Sequence, residues 1–500
     1  MSVSAAIQTV DEVETESVNL GPYVMAERAL IYEIFIDRFA GRDGEQLQPD
    51  ESGHAPWQHH CGGTLDGILV RLDHLQTLGV DALYLTPVFS AESNHKYDAS
   101  CYDHVDPCFG GDPAFERLAS ACRERGLGLI LDGVFNHVGQ KHPWFAESSS
   151  GPGSQNRAHF KWQAGNNSYD CWRGHKSLPE LNLQNDEIQH ALFTGKNSVI
   201  RDWLRRGATG WRLDCANDLG LETCSQAVSA AHRERPADGV VGEVQTYAED
   251  WLNEGCLDGV MNYYFRESVL GLLNGEVPVS QAAYNLKRIA RRYRREALLR
   301  SWNMLASHDT PRLATLIPQA DRRRLAYVLQ FAFPGVPMIY YGEEIGMHGG
   351  HDPDCRRPME WSTDSWDTST VAWISHLARL RRENPALLRG DYLPMPQPGA
   401  PGLLAFARVT DDPREVVLVL VNASDNSYEG RAFLPYSYLF DGMQLTDLLE
   451  EQETAWVNVG SVRLNMKPWS CALYTPNDHI PGYSFFRSRA ATETTHGFLE

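Results

Sequence analysis

Long apolar runs are missing from this 500-residue sequence: none approaches the ~18 uninterrupted apolar residues that cross a bilayer. The first thirty residues also lack a basic segment leading into an apolar one, so neither a membrane span nor a secretory leader is expected, and the reading is of a soluble, cytoplasmic protein. Positive charge is scarce. Lys and Arg number 45 against 65 Asp and Glu, and a net charge of −20 argues against a nucleic-acid partner. A neutral substrate would be indifferent to it. Paired cysteines are absent too: Cys61, Cys101, Cys108, Cys122, Cys171, Cys215, Cys224, Cys256, Cys355 and Cys471 are scattered with no CxxC motif. They read as free thiols in a reducing compartment, neither zinc ligands nor a disulfide framework. No internal repeat is visible.

What the chain does carry is an alternation of short apolar strands and amphipathic helices. After a polar, acidic stretch at residues 1–26, expected to be a mobile arm, strand-like runs lie at Ile31 to Ile36, Val80 to Leu85, Gly128 to Val134 and Trp211 to Leu213. They continue at Gly239 to Glu243, Gly259 to Tyr263, Asn303 to Ser307 and Val336 to Tyr341. Helical periods fall between them, as in Phe115, Leu118, Ala119 and Cys122 after Asp112-Pro113, or Val199, Ile200, Trp203 and Leu204. Eight nearly continuous apolar strands separated by helices predict an α/β fold, a closed (β/α)8 TIM barrel over 27–388.

One connection, about 138–183, is too long for a simple loop and holds Trp144, Phe160, Trp162, Tyr169 and Trp172; it reads as a small subdomain inserted after the third strand, over the C-terminal face. Beyond Arg389 the spacing changes to short strands with turn residues between them, a separate antiparallel β-sandwich over 389–476. A tail, 477–500, has no clear period, although Tyr483, Phe485 and Phe486 offer docking groups.

In such a barrel the chemistry sits at the C-terminal ends of strands, and those ends collect charge. The third strand runs into DGVFNH (132–137), the fourth into GWRLDCAND (210–218), the fifth ends at Glu243 in VVGEV, and the seventh ends in SHD, with His308 and Asp309. Arg212 lies two residues before Asp214, on the same side of the pleat, and favours the ionised acid, so Asp214 is expected to remain a nucleophile at neutral pH. Carboxylates crowded into one mouth raise the pKa of at least one of them, which suits a site needing a proton donor beside an ionised nucleophile. A divalent-metal site is the rival, since Asp, Glu and His are also ligands; the arginine weighs against it. The aromatic insertion points to sugar, whose faces stack on flat apolar rings.

DGVFNH, GWRLDCAND, GEVQ and ASHDTPR, in this order and at these spacings, resemble the four signature segments of the α-amylase family of glycoside hydrolases. The resemblance runs from about Ala29 through the terminal β domain. It implies that Asp214 is the nucleophile, Glu243 the general acid/base and Asp309 the carboxylate that clamps sugar hydroxyls and stabilises the transition state. It also implies that Arg212, His137 and His308 surround the reacting sugar and that Tyr97 of HKYD stacks beneath it. Asn217, Asp218 and Trp172 are the further substrate-binding candidates. Asp132 and Asn136 look like structural members of their segment. No cofactor is required; Asn136 stands where calcium-binding relatives have a calcium ligand.

SNHKYD (93–98), YDCWRGHKSLPELN (169–182), VMNYYF (260–265) and PGVPMIYYGEEIGM (334–347) look most like cyclomaltodextrinases, neopullulanases and maltogenic amylases. Exo-acting α-glucosidases of the family usually have an acid three residues before the stacking tyrosine; Asn94 there leaves the cleft open. The cyclodextrin-cleaving branch normally carries an extra β domain before the barrel, where only about twenty-six residues stand here. Leu178, Glu180 and Gln245 also depart from its usual residues. The function implied is retaining hydrolysis of α-glucosidic bonds in short maltooligosaccharides and cyclodextrins, a neutral α-glucan substrate. The alternatives are a transglycosylase or glucoside isomerase acting on maltose, trehalose or sucrose, and a non-catalytic binding or partner subunit.

Overall fold

Eight strands, β1 (Ile31–Ile34), β2 (Ala82–Leu85), β3 (Gly128–Gly133), β4 (Gly210–Leu213), β5 (Val240–Val244), β6 (Gly259–Asn262), β7 (Trp302–Met304) and β8 (Val336–Tyr340), pair in parallel in that order, and β8 returns to β1 to close a barrel. The computed structural model describes residues 28, 30–48, 58–163, 168–235, 239–434, 436 and 438–477. The arm at 1–26 and the tail aromatics Tyr483, Phe485 and Phe486 lie outside the described residues. Every strand residue of the barrel is buried, as expected of strands covered on both faces.

The two-residue period of the strands sorts the side chains. Outward positions such as Leu83, Leu129, Trp211 and Val260 pack against the helices, among them Gly111–Glu124 and Val199–Arg206, whose buried stripes are those read from the sequence. Inward positions at the lower end form a separate core of Ile31, Ala82, Ile130, Val241, Met261, Trp302 and Met338. One pleat further along the same inward rows stand Glu33, Tyr84, Asp132, Arg212 and Glu243. The alternation that fills the barrel floor with apolar groups therefore delivers the charged ones to the C-terminal mouth. β7 is shorter than expected: beyond Met304 the chain makes a turn in which Ser307 N donates to Thr310 Oγ1 and Thr310 N to the Ser307 carbonyl, and His308 and Asp309 project from it.

The insertion after β3 has its own small core. Phe145 packs on Phe160, Trp162 and Tyr169, with ring centroids 5.1, 6.0 and 4.7 Å away, and Trp144 packs on His142 and Tyr102. Four of the five aromatics read as a sugar platform thus hold the insertion together, because a short segment without regular strands must bury large rings to be stable. The bridge of His137 with Glu180 and the hydrogen bond from Leu181 N to the Asn136 carbonyl tie it to the segment after β3, and a bridge of Phe160 with Leu181 closes it on itself.

Beyond the helix Pro385–Arg389 follow β9 (Asp391–Pro394), β10 (Leu403–Val409), β11 (Val416–Asn422), β12 (Tyr428–Phe433), β13 (Gln444–Asp447), β14 (Ala455–Asn458), β15 (Ser461–Met466) and β16 (Ser470–Asn477). Where a sandwich of two sheets is expected, they form one antiparallel order, β12-β15-β14-β13-β16-β11-β10-β9. Leu404, Phe406, Val419 and Leu473 face the barrel core, whereas Ala405, Leu418 and Ala472 share a second core with Val457, Val462 and Leu464 from the other end of the sheet. The sheet closes over its own apolar face.

Candidate active site

Asp214 follows β4 directly, its N–H donating to the Gly133 carbonyl at 3.2 Å, and the residue is 5% exposed. Arg212, fully buried, gives Nη1 to Asp132 at 2.9 Å and to Asp214 Oδ1 at 2.8 Å, while its Nη2 lies 2.9 Å from Glu243 Oε2. One guanidinium thus serves three carboxylates. A carboxylate oxygen of Asp214 and one of Glu243 lie within 4.8 Å of each other. Glu243 is surrounded by donors: Cys215 N at 2.9 Å on Oε2, Gln245 Nε2 at 2.9 Å and the Tyr263 hydroxyl at 3.4 Å on Oε1. Among the described residues, Asp214 Oδ2 is buried without a hydrogen-bond partner.

A chain of charged hydrogen bonds runs from this pair to Asp309. Asp132 accepts from Tyr84 at 2.7 Å and from Tyr97 at 2.9 Å; the Tyr97 oxygen lies 2.6 Å from His308 Nε2, and the two rings stack 5.5 Å apart. His308 Nδ1 pairs with Glu33 of β1, and Nε2 is 3.0 Å from Asp309 Oδ2. Arg356, in the segment after β8, holds Asp309 Oδ1 at 2.8 Å and the His308 carbonyl at 2.8 Å.

Electrostatics follow from this wiring. Burial drives the Asp214 carboxyl up to about 7; Arg212 pulls it down, and the charges of Glu243 and Asp132 push it up again. Arg212 was expected to hold Asp214 ionised, and it does not suffice, because its charge is divided among three acids. Burial disfavours the His308 imidazolium, but Asp309 and Glu33 on either side raise it to about 10. Burial likewise opposes ionisation of Asp309, yet His308 and Arg356 hold it far below the usual carboxylate range. His137 is different. Burial takes it down to about 4 although a backbone hydrogen bond with Tyr97 acts the other way, so it is neutral.

The rim beyond Glu243 is polar and joined to the insertion. Trp172, half-buried, lies against His137 at 5.6 Å between centroids and donates Nε1 to Asp218 at 3.1 Å. Asn217 Oδ1 accepts from Gln245 N at 3.1 Å, and Arg173 of the insertion reaches Gln245 Oε1 at 3.4 Å. All ten residues named from sequence as catalytic or substrate-binding fall in this one continuous group.

The family described as alpha amylase, catalytic domain, matches residues 33–386. Neopullulanase 2 of Thermoactinomyces vulgaris is 35% identical over 420 residues, covering 80% of this chain and 70% of that enzyme. The chain belongs to the α-amylase family of glycoside hydrolases. A cyclomaltodextrinase of Bacillus sp is 34% identical over 421 residues, 80% of this chain and 74% of that enzyme. The cyclic α-maltosyl-(1→6)-maltose hydrolase of Arthrobacter globiformis, in its ligand-free form, superposes with a TM-score of 0.75 at 29% identity, covering 91% of this chain and 99% of that one.

Several groups of this α-amylase family site escaped the sequence reading. Glu33 and Tyr84 sit inside apolar strand runs, and only their inward parity in the pleat marks them. Arg356 lies past the end of the 334–347 segment, outside every motif. Asn94, expected to leave the cleft open, is 3% exposed and donates to the His59 carbonyl at 2.7 Å, which makes it a fastener of the loop after β1. Asn136 meets the side chains of His137 and Glu180, and its carbonyl accepts from Leu181 N. One amide and one half-buried carboxylate fall short of the six to eight oxygens calcium takes, so these residues do not fit a calcium cage.

Proposed function

We propose that this member of the α-amylase family hydrolyses α-glucosidic bonds of short maltooligosaccharides and cyclodextrins with retention, by double displacement. The observation that carries the reading is the approach of Asp214 and Glu243 to within 4.8 Å. An inverting enzyme needs its two carboxyl groups ~6.5 to 9.5 Å apart to seat a water, whereas a retaining one holds them at ~5 to 5.5 Å so that one can attack the anomeric carbon itself. The names of the relatives, neopullulanase and cyclomaltodextrinase among them, support the substrate class.

In this reading the singly protonated Asp214–Glu243 pair is the working form. When the sugar enters, the leaving oxygen approaches Glu243, which supplies the proton, and ionised Asp214 attacks the anomeric carbon to give a glycosyl ester. Arg212 stabilises the carboxylate charge as it moves between the two acids. Water, deprotonated by Glu243, then opens the ester. Asp309, held ionised, takes sugar hydroxyls together with neutral His137, and Tyr97 offers its ring. The ten free cysteines support a reducing, cytoplasmic setting.

Product chromatography after incubation with maltotriose, a cyclodextrin, pullulan, soluble starch, trehalose and sucrose tests the substrate class, with Asp214→Asn as the blank. Glucose and maltose from maltotriose and the cyclodextrin, first released as α anomers, are expected. Release of β anomers would overturn retention. Longer oligomers or an isomeric disaccharide would mean that an acceptor sugar outcompetes water at the polar rim of Asn217, Asp218 and Gln245.

A further inference from the structure

The loop that carries Tyr97 hangs from a short antiparallel bridge, Ala91 with Ala99, in the segment after β2. Its backbone is tied internally. Ser93 N donates to Asp98 Oδ2 at 3.2 Å, Lys96 N to Ser93 Oγ at 3.0 Å and Tyr97 N to His95 Nδ1 at 3.1 Å. Burial takes His95 down to about 3, so the ring is neutral and Nδ1 is able to accept.

Two rare properties meet at Lys96. It is the one lysine among the buried described residues, 1% exposed, and it stands in the left-handed backbone region with φ 63°. Lysines are almost never fully buried unless paired, and the left-handed region is costly for any residue with a Cβ. Here the ammonium is paired. Nζ lies 2.7 Å from Asp106 Oδ2 and donates to the Ala91 carbonyl at 3.2 Å. Asp106, itself 4% exposed, also accepts from Ala91 N at 3.1 Å and from Cys108 N at 2.8 Å. The consequence falls on the next residue. The left-handed turn at Lys96 redirects the chain just before Tyr97, whose ring, half-buried, stacks on His308 at 5.5 Å and whose hydroxyl donates to Asp132 at 2.9 Å.

We propose that Lys96 is a positioning residue: its buried pair with Asp106 holds the left-handed turn that sets the Tyr97 ring in the cleft. A residue persists in a sparsely populated backbone region where its surroundings over-determine it, and the ion pair supplies that constraint. Being buried behind the loop, Lys96 acts through Tyr97. The use of Tyr97 as a sugar platform rests on the glycosidase reading, whereas the hold of Lys96 on the loop does not.

Glycine separates this role from a merely structural one. It adopts φ 63° without steric cost, yet offers neither the ammonium nor the stem that fills the buried space. Lys96→Met keeps a stem, removes the charge and leaves Asp106 its backbone donors Ala91 and Cys108. On maltotriose, Lys96→Met is expected to lower kcat/KM about tenfold and Lys96→Gly to lose less than about threefold, although its melting temperature falls. An unchanged kcat/KM in Lys96→Met would overturn the proposal. So would a loss in Lys96→Gly as large as that in Lys96→Met, since packing or charge alone would then explain both. Should Lys96→Met not fold, Asp106→Asn takes its place: it should lose kcat/KM alone and regain it in combination with Lys96→Gly, and no regain overturns the proposal. Hydrogen exchange of the 93–98 loop, read by mass spectrometry, needs no substrate. The Lys96 and Tyr97 amides should exchange about tenfold faster in Lys96→Met than in the wild type or Lys96→Gly. Equal exchange in all three overturns the hold of Lys96 on the loop, whether or not a glucan is cleaved, so failure of this inference and of the glycosidase reading remain distinct.

Discussion

Arg212 shows how one residue sets the behaviour of its neighbours. Its guanidinium reaches Asp132, Asp214 and Glu243 at 2.8 to 2.9 Å, yet Asp214 still rises to about 7 because burial and two like charges act against it. Asp214 therefore loses its proton near neutral pH. With the singly protonated pair as the active form, kcat/KM for maltotriose is expected to fall as pH rises above 7, tenfold per unit at the limit, in a pH–rate profile.

The same shift has a stability consequence. An unfolded Asp releases its proton near pH 4, whereas Asp214 in the folded protein keeps it to about 7, so between these values the native state binds more protons and loses stability as pH rises. Asp214→Asn removes that loss while Arg212 keeps two carboxylate partners. It should abolish turnover and, in denaturant melts, exceed the wild type by ~1 kcal/mol or more at pH 8 and by little at pH 4. Gln245 belongs to this scale as well. Its Nε2 holds Glu243 Oε1 at 2.9 Å, so Gln245→Leu is expected to lower kcat/KM on maltotriose about tenfold. On α-glucosyl fluoride, whose leaving group needs no proton, kcat/KM should be unchanged; equal losses on both would show that Gln245 only supports the fold.

At the scale of elements, the barrel strands carry two messages in one period. Their lower inward positions are apolar and their upper ones charged, and the connecting turns add the remainder, Cys215 after β4 and the His308 turn after β7. The insertion after β3 touches the site through few residues. Its aromatic core of Phe145, Phe160, Trp162 and Tyr169 faces itself, while Trp172 and Arg173 reach across to Asp218 and Gln245. Asp218→Ala frees the Trp172 indole, and loss of one exposed hydrogen bond, ~1 kcal/mol, should raise KM for maltotriose three- to tenfold with kcat within twofold. Steady-state kinetics checks it, and a loss confined to kcat would mean that Trp172 does not position substrate.

For the whole molecule, the terminal sheet is fastened to the barrel by a buried arginine that has no carboxylate partner among the described residues. Arg408 of β10 gives Nε and Nη2 to the Gly390 carbonyl at 3.0 and 2.8 Å and Nη1 to the Ala332 carbonyl of the barrel at 2.6 Å. Arg408→Leu strands these buried carbonyls, a cost of ~2 to 4 kcal/mol. A thermal melt should show the midpoint lowered by several degrees, with the kinetics of the remaining folded protein unchanged.

Much of this was already present in the order of residues. Eight apolar runs at α/β spacing determine the barrel, because a strand covered on both faces must be apolar throughout. The motifs at its strand ends determine Asp214, Glu243 and Asp309, because a barrel brings those ends together whatever the loops do. Only the tertiary structure decided the rest. Glu33, Tyr84 and Arg356 come from parts of the chain with no motif and meet the site through closure of the ring. The aromatics of the insertion divide into a core and a single cleft residue according to packing, which periodicity does not record. The proton on Asp214 was settled by the sum of burial and three charges from three strands, Asp132, Arg212 and Glu243, a quantity that no single stretch of sequence contains.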